Sequence, residues 1–219
     1  MSTDYPRLMA FEGFPVAALD FYDDLEIDNT KDYWESNKHI YLESVRAPML
    51  ALTEALAGEF GVAKVFRPYR DVRFSRDKTP YKTHQGAYVA VAPATGWYVQ
   101  ISGAGLRTGA GFYEATPSRL AGLRDAIDNE HTGLELARLI SGFLDQGWVL
   151  GGEKVKTAPR GYSIDHPRID LLRHRALTLN KDHGFEGLDS PEVCDWVRRD
   201  WRELRPLVDY LTRPDVLVA

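Results

Sequence analysis

Ala87-Tyr88-Val89-Ala90-Val91-Ala92 and Trp97-Tyr98-Val99-Gln100-Ile101-Ser102 flank the turn Pro93-Ala94-Thr95-Gly96, and this stretch decides the fold. Apolar residues recur at a period of two on both sides of a short turn, the pattern of an antiparallel hairpin. Leu106 to Tyr113 adds a third strand across the Gly103-Ala104-Gly105 turn, giving a meander over about residues 86–113. Glycines 103, 105, 109 and 111 do not fit Gly-x-Gly-x-x-Gly, and the next helix begins only near Pro117. A dinucleotide fingerprint runs straight from strand into helix, so these read as hairpin glycines.

Working outward, the chain turns helical on both sides of the meander. Residues 14–25 predict a first helix with Pro15 at its opening and Ala18, Leu19, Tyr22 and Leu25 on one stripe. Thr30 caps a second helix, with Trp34, Asn37, Lys38, Tyr41 and Val45 along one side. Pro48 begins or kinks a third, and Gly61 terminates it. Residues 63–67 and 71–74 read as short strands, with Ser75 to Thr83 as a loop. Downstream, Thr116-Pro117 starts a helix that Asn129 ends, and Thr132-Gly-Leu-Glu135 is a capping box for the next. A short helix over 168–174, a strand over 176–179 and a last helix capped by Ser190-Pro191 complete the chain. No repeat or linker interrupts it. The expectation is one α+β domain over residues 1–219, an antiparallel sheet with helices covering one face.

Composition narrows the function classes. The 219 residues are 44% apolar and 27% charged, as in an ordinary soluble protein, with a formal net charge of −5. No apolar run approaches the roughly 20 residues that span a bilayer, and the start lacks a basic region followed by an apolar one. No membrane association is expected, and the cytoplasm is the expected address. Cys194 is the only cysteine, which excludes an internal disulfide and a cysteine-cluster metal site. An acidic total argues against a duplex-DNA binder. A small basic groove on an acidic body suits a compact anion better than a long polyanion.

Such a groove has a candidate. Arg67 to Thr83 holds six cations (Arg67, Arg70, Arg73, Arg76, Lys78, Lys82) against two carboxylates (Asp71, Asp77), a local balance of 6 − 2 = +4. Tyr69, Phe74 and Tyr81 and the hydroxyls of Ser75, Thr79 and Thr83 are interleaved with them. Three readings stay open. Arg70, Arg73, Arg76, Lys78 and Lys82 converge on a phosphate or carboxylate, with Ser75 and Tyr81 beside them and Asn37 and Lys38 reaching over from the second helix. Alternatively, Asp71 and Asp77 pair with these cations in a structural clasp. In the third, cations and rings grip a single-stranded nucleic acid. Alternation along a strand weighs against the first, because it sends Arg70 and Arg73 to opposite faces.

Arg70-Asp-Val-Arg-Phe-Ser-Arg-Asp-Lys-Thr-Pro-Tyr-Lys-Thr83 closely resembles the signature of the family called domain of unknown function 2461. Asn29-Thr-Lys-Asp-Tyr-Trp34 with Asn37-Lys38, Gly109-Ala-Gly111-Phe-Tyr, and Pro159-Arg-Gly-Tyr-Ser-Ile-Asp-His-Pro167 fit the same pattern. Thr30 stands where the family usually has a second Asn, Tyr33-Trp34 stands in its Trp-Phe place, and Arg76 sits where Lys is commoner. The resemblance implies a conserved hypothetical protein with no established activity or cofactor.

Elsewhere, His166 is the histidine most suited to chemistry. Asp165-His166-Pro167 followed by Arg168, Asp170 and His174 sets an imidazole beside acids and cations, as a general base requires. The bland alternative is a hydrogen-bonded loop anchor. Its spacing to His174 matches no metal motif, so no metal ligand is assigned. Cys194 lies on an apolar helix beside Asp195, and neither a Gly-x-Ser-x-Gly elbow nor a P-loop occurs. The leading expectation is therefore a pocket for a small anionic, phosphate-bearing ligand, with catalysis through His166 left open. The alternative is a non-enzymatic scaffold held by an ion-paired loop. The oligomeric state stays open.

Overall fold

The computed structural model describes residues 10–73, 77–113 and 115–217. The fold is α+β, with one six-stranded antiparallel sheet in the order β1-β2-β3-β4-β6-β5. Its strands are β1 (Lys64–Val65), β2 (His84–Ala92), β3 (Thr95–Ser102), β4 (Gly105–Phe112), β5 (Val149–Gly151) and β6 (Leu177–Gly184). The meander is β2-β3-β4, as the period-two stretch predicts. Its first turn is tighter than expected: Pro93 and Ala94 alone close it, with Ala94 at a φ of 61°. The glycines belong to β4 or to the turn before it. At Gly111 (φ 148°) a side chain would run into the Leu177 carbonyl of β6, so glycine is what lets these two strands approach.

The chain divides into two compact units. The first holds the described residues up to Tyr88 together with Val99–Leu106 and His183–Arg198; the second holds Val89–Tyr98, Arg107–Asp182 and the described residues from Arg199 on.

In the first unit, α1 (Val16–Ile27) starts after Pro15, whose missing N–H is no loss at a helix start. Thr30 caps α2 (Lys31–Ile40), its hydroxyl accepting from the Tyr33 N–H at 3.2 Å. Pro48 stands in the first turn of the next helix, as a proline that begins a helix does. A π-helical turn (Tyr41–Arg46) joins α2 directly to α3 (Ala47–Phe60), with the Ala47 N–H bonding Leu42 O. Proline removes the donor that would bond Ser44 in an α register, and the ladder shifts by one residue just ahead of it. Ala18, Phe21, Leu25, Trp34, Tyr41, Val45, Leu52 and Leu56 are buried in this unit.

The second unit carries α4 (Pro117–Asp128), α5 (Glu130–Asp145), α6 (Ile169–Leu172), α8 (Arg205–Thr212) and α9 (Pro214–Leu217); α7 (Val193–Glu203) begins in the first unit. Asn129 both ends α4 and caps α5, accepting from the His131 and Thr132 N–H groups at 3.0 and 3.2 Å. The expected capping box at Thr132 is thus displaced by three residues. The Thr132 hydroxyl instead donates to the Ala126 carbonyl at 2.5 Å, closing the α4–α5 corner. Among the described residues, no helix is long and apolar enough to cross a membrane.

Candidate functional site

The basic stretch lies in the first unit, at the edge of the sheet where β1 is the outermost strand. Beyond β1 the pairing slips. Val65 faces Ala87 and Tyr69 faces Tyr81, so 69 − 65 = 4 steps on one strand oppose 87 − 81 = 6 on the other. Such a bulge re-aims side chains and interrupts the ladder. Gln85 fills the gap: its amide donates to the Phe66 and Gly86 carbonyls, each at 2.9 Å. The Tyr41 hydroxyl, delivered by the π-helical turn, holds the Gln85 Oε1 at 2.7 Å. Burial pushes the Tyr41 hydroxyl up to about 12, so it stays a donor.

The ladder resumes around Tyr69 and Tyr81, where Arg70 N bonds Pro80 O and Lys82 N bonds Pro68 O, both at 2.8 Å. Only the carbonyls of Pro68 and Pro80 are used, so their missing N–H groups leave nothing unsatisfied. Tyr81 is buried under Trp34, ring on ring at 4.3 Å and 8°. Tyr69 stands beside both, 5.5 Å from Tyr81 and 6.0 Å from Trp34, and remains 44% exposed.

Arg70 and Arg73 are engaged by neighbouring carboxylates. Arg70 Nη1 donates to Asp77 Oδ2 and to the Thr79 hydroxyl, each at 2.6 Å. Thr79's backbone and hydroxyl, and then Arg70, hold the Asp77 carboxyl down at about 2. Arg73 grips Asp71 with both arms of its fork, at 2.9 and 2.7 Å, and that contact lowers the Asp71 carboxyl. Lys78 Nζ donates to the Val72 carbonyl at 2.9 Å. Residues 71–73 form no strand, contrary to expectation, because local turns take up their backbone groups (the Arg73 N–H bonds Asp71 Oδ1 at 3.3 Å). Ser75 and Arg76, together with Phe74, lie outside the described residues. Asn37 donates back to Tyr33 O in its own helix at 2.9 Å, and Lys38 is exposed on α2.

Sequence reasoning missed Lys64 and Phe66 as partners of this stretch. Lys82 Nζ lies 5.2 Å and Lys64 Nζ 5.8 Å from the centre of the Phe66 ring. Burial, and then the Arg67 and Lys64 charges, depress the Lys82 ammonium below its ordinary range. Among the described residues no carboxylate stands within ion-pair reach of Lys64, Arg67 or Lys82. The alternation Lys64-x-Phe66 was the available signal, since it puts a cation and a ring on one face. The bulge that brings Lys82 to them was not legible.

His166 lies in the second unit. Its Nδ1 accepts from the Arg168 N–H at 3.0 Å, which puts its proton on Nε2, 3.1 Å from Asp128 Oδ1. Both ring nitrogens thus hold the 161–168 loop, helped by Arg168 Nε on the Ile127 carbonyl at 2.6 Å and the Tyr162 hydroxyl on Asp125 at 3.1 Å. The same unit has a cavity of about 1150 Å³ along α5, between Leu134, Arg138, Phe143 and Pro206. Its Arg213 is already clamped on Glu135 at 2.7 and 2.8 Å. Among the described residues no three of His, Cys, Asp and Glu cluster as metal ligands.

The sequence profile of the family described as conserved hypothetical protein (DUF2461) matches residues 17–210. The chain belongs to this family. The match takes in the whole basic stretch, its Trp34–Tyr41 backing and the His166 loop. No curated protein matches the chain.

Proposed function

We propose that the protein binds a small anionic, phosphate-bearing ligand at the sheet edge, between Lys64, Arg67 and Lys82. The observation that carries this reading is the crowding of Lys64 and Lys82 over the Phe66 ring, with the Arg67 charge felt by Lys82 and no carboxylate among the described residues to neutralise them. Like charges held together depress one another, and an arriving anion relieves that repulsion. Arg70 and Arg73 serve the binding indirectly. Their bonds tie Arg70 to Asp77 and Thr79, and Arg73 to Asp71, as a clasp, and the Trp34–Tyr81 stack fixes the backbone behind it. The single cysteine suits a reducing compartment such as the cytoplasm.

A second reading is favoured by the Arg70–Asp77 and Arg73–Asp71 pairs: the segment is a clasp only, and the protein is a non-enzymatic scaffold. Thermal melts of the full chain in inorganic phosphate separate the two. A ligand that binds only the folded state raises its melting temperature with concentration. Phosphate raises the melting temperature of the wild type and of Arg70→Gln, and Lys82→Gln loses the response. Equal responses in wild type and Lys82→Gln, or no response in either, leave the clasp as the better reading.

A further inference from the structure

The exposed ring of Tyr69 is supported from behind. Its backbone is pinned on both sides by the 2.8 Å bonds of Arg70 and Lys82 to Pro80 and Pro68, two residues whose φ is fixed. Its ring is backed by the buried Trp34 and Tyr81 rings, while nearly half of its own surface faces outward. Tyr81 in turn exchanges two hydrogen bonds with the Asn29 side chain. A planar surface fixed in this way loses little freedom when another ring lands on it. Arg67 lies two residues away, and its charge is felt by Lys82.

We infer that the anionic ligand carries an aromatic ring beside its phosphate, as a nucleoside monophosphate does, the ring stacking on Tyr69 and the phosphate meeting Arg67, Lys82 and Lys64. This rests on the phosphate site proposed above and names the class of ligand that fills it. A single exposed ring suits a single base. A bound strand needs a row of rings, and Tyr81, the other tyrosine of the pair, is only 4% exposed under Trp34.

Calorimetric titration of the full chain tests this with inorganic phosphate, ribose 5-phosphate, adenosine monophosphate and a thymidine decamer as probes. Adenosine monophosphate binds about tenfold tighter than ribose 5-phosphate, the scale of one base–aromatic stack. Tyr69→Ala abolishes that ratio, whereas Tyr69→Phe preserves it. Equal affinity for the two monophosphates overturns the ring and leaves the phosphate site standing. No binding of phosphate or of either monophosphate overturns the phosphate site itself. A decamer that binds far tighter than the mononucleotide, with an affinity falling steeply with salt, overturns the single-base ligand in favour of a strand.

Discussion

Asn29 and Tyr81, 52 residues apart, exchange two hydrogen bonds of 3.1 Å: the Asn29 amide donates to the Tyr81 carbonyl, and the Tyr81 N–H donates back to Asn29 Oδ1. A side-chain amide here completes the ladder as a neighbouring strand would. It ties the turn between α1 and α2 to the far arm of the basic stretch, and so sets where Tyr69 and Lys82 stand. Asn29→Ala leaves both backbone groups of a buried residue without a partner, a loss of about 1–3 kcal/mol. Urea unfolding followed by tryptophan fluorescence measures it. A loss below about 0.5 kcal/mol contradicts the tie.

Alkaline pH tests the buried tyrosines. Burial raises the Tyr41 and Tyr210 hydroxyls to about 12, against an ordinary value of 10. A folded pKa above the unfolded one means that the stability is fully present below pH 10 and is lost as the pH rises from 10 toward 12. For Tyr41 this rise corresponds to about 3 kcal/mol at most. Unfolding free energies at pH 8, 10 and 11.5, with tyrosinate absorbance recorded in parallel, give the check. Both hydroxyls ionise together with unfolding; ionisation of Tyr41 in the folded protein near pH 10 contradicts this picture of its burial.

Local rules made most of the fold legible. The 87–102 alternation, the Thr30 cap and Thr116-Pro117 each fix an element through neighbours in the chain, and each element stands where those residues predict. Failures arose where a distant partner decides. Pro48 marks the first turn of α3, as its missing N–H predicts, but no local rule says that α2 runs into α3 through a π-helical turn whose Tyr41 is bonded to Gln85. Of the strand expected at 71–74, the described residues 71–73 form none, because local turns such as the Arg73 N–H on Asp71 Oδ1 take up their backbone groups. At the proposed site, charge density draws attention to the segment from Arg67 to Thr83. Which cations stay uncommitted depends on carboxylate geometry and on a bulge, and neither has a sequence signature.

His174 makes the protein sensitive to acid. It is 1% exposed, its Nδ1 is 2.9 Å from the Ala176 carbonyl, and Nε2 has no partner among the described residues. Burial, with Lys154 adding to it and Ala176 and Asp170 opposing, pushes the imidazole below 6.5. A depressed folded pKa means that the unfolded chain takes up the proton first, so stability present above pH 6.5 is lost as the pH falls through the folded value. The pH dependence of urea midpoints between 7.5 and 4.5 measures this. His174→Gln, which cannot charge, flattens the upper part of that slope; an unchanged slope shows that other groups carry it.

Two glycines separate backbone geometry from propensity. Gly105 opens β4 at a φ of 104°, and a side chain there would run into the Gly184 carbonyl, a backbone group that cannot swing away. Gly105→Ala therefore combines strain with a main-chain collision and destabilises by roughly 3 kcal/mol or more. Gly58, in the last turn of α3, has nothing within 4 Å of where a Cβ would go and is exposed. Gly58→Ala removes only unfolded-state freedom and stabilises by about 0.5–1 kcal/mol. The two single variants, measured by urea unfolding under one set of conditions, move in opposite directions. A Gly105→Ala protein within about 1 kcal/mol of wild type contradicts the close approach of β4 to residue 184, and with it the end of the meander as described.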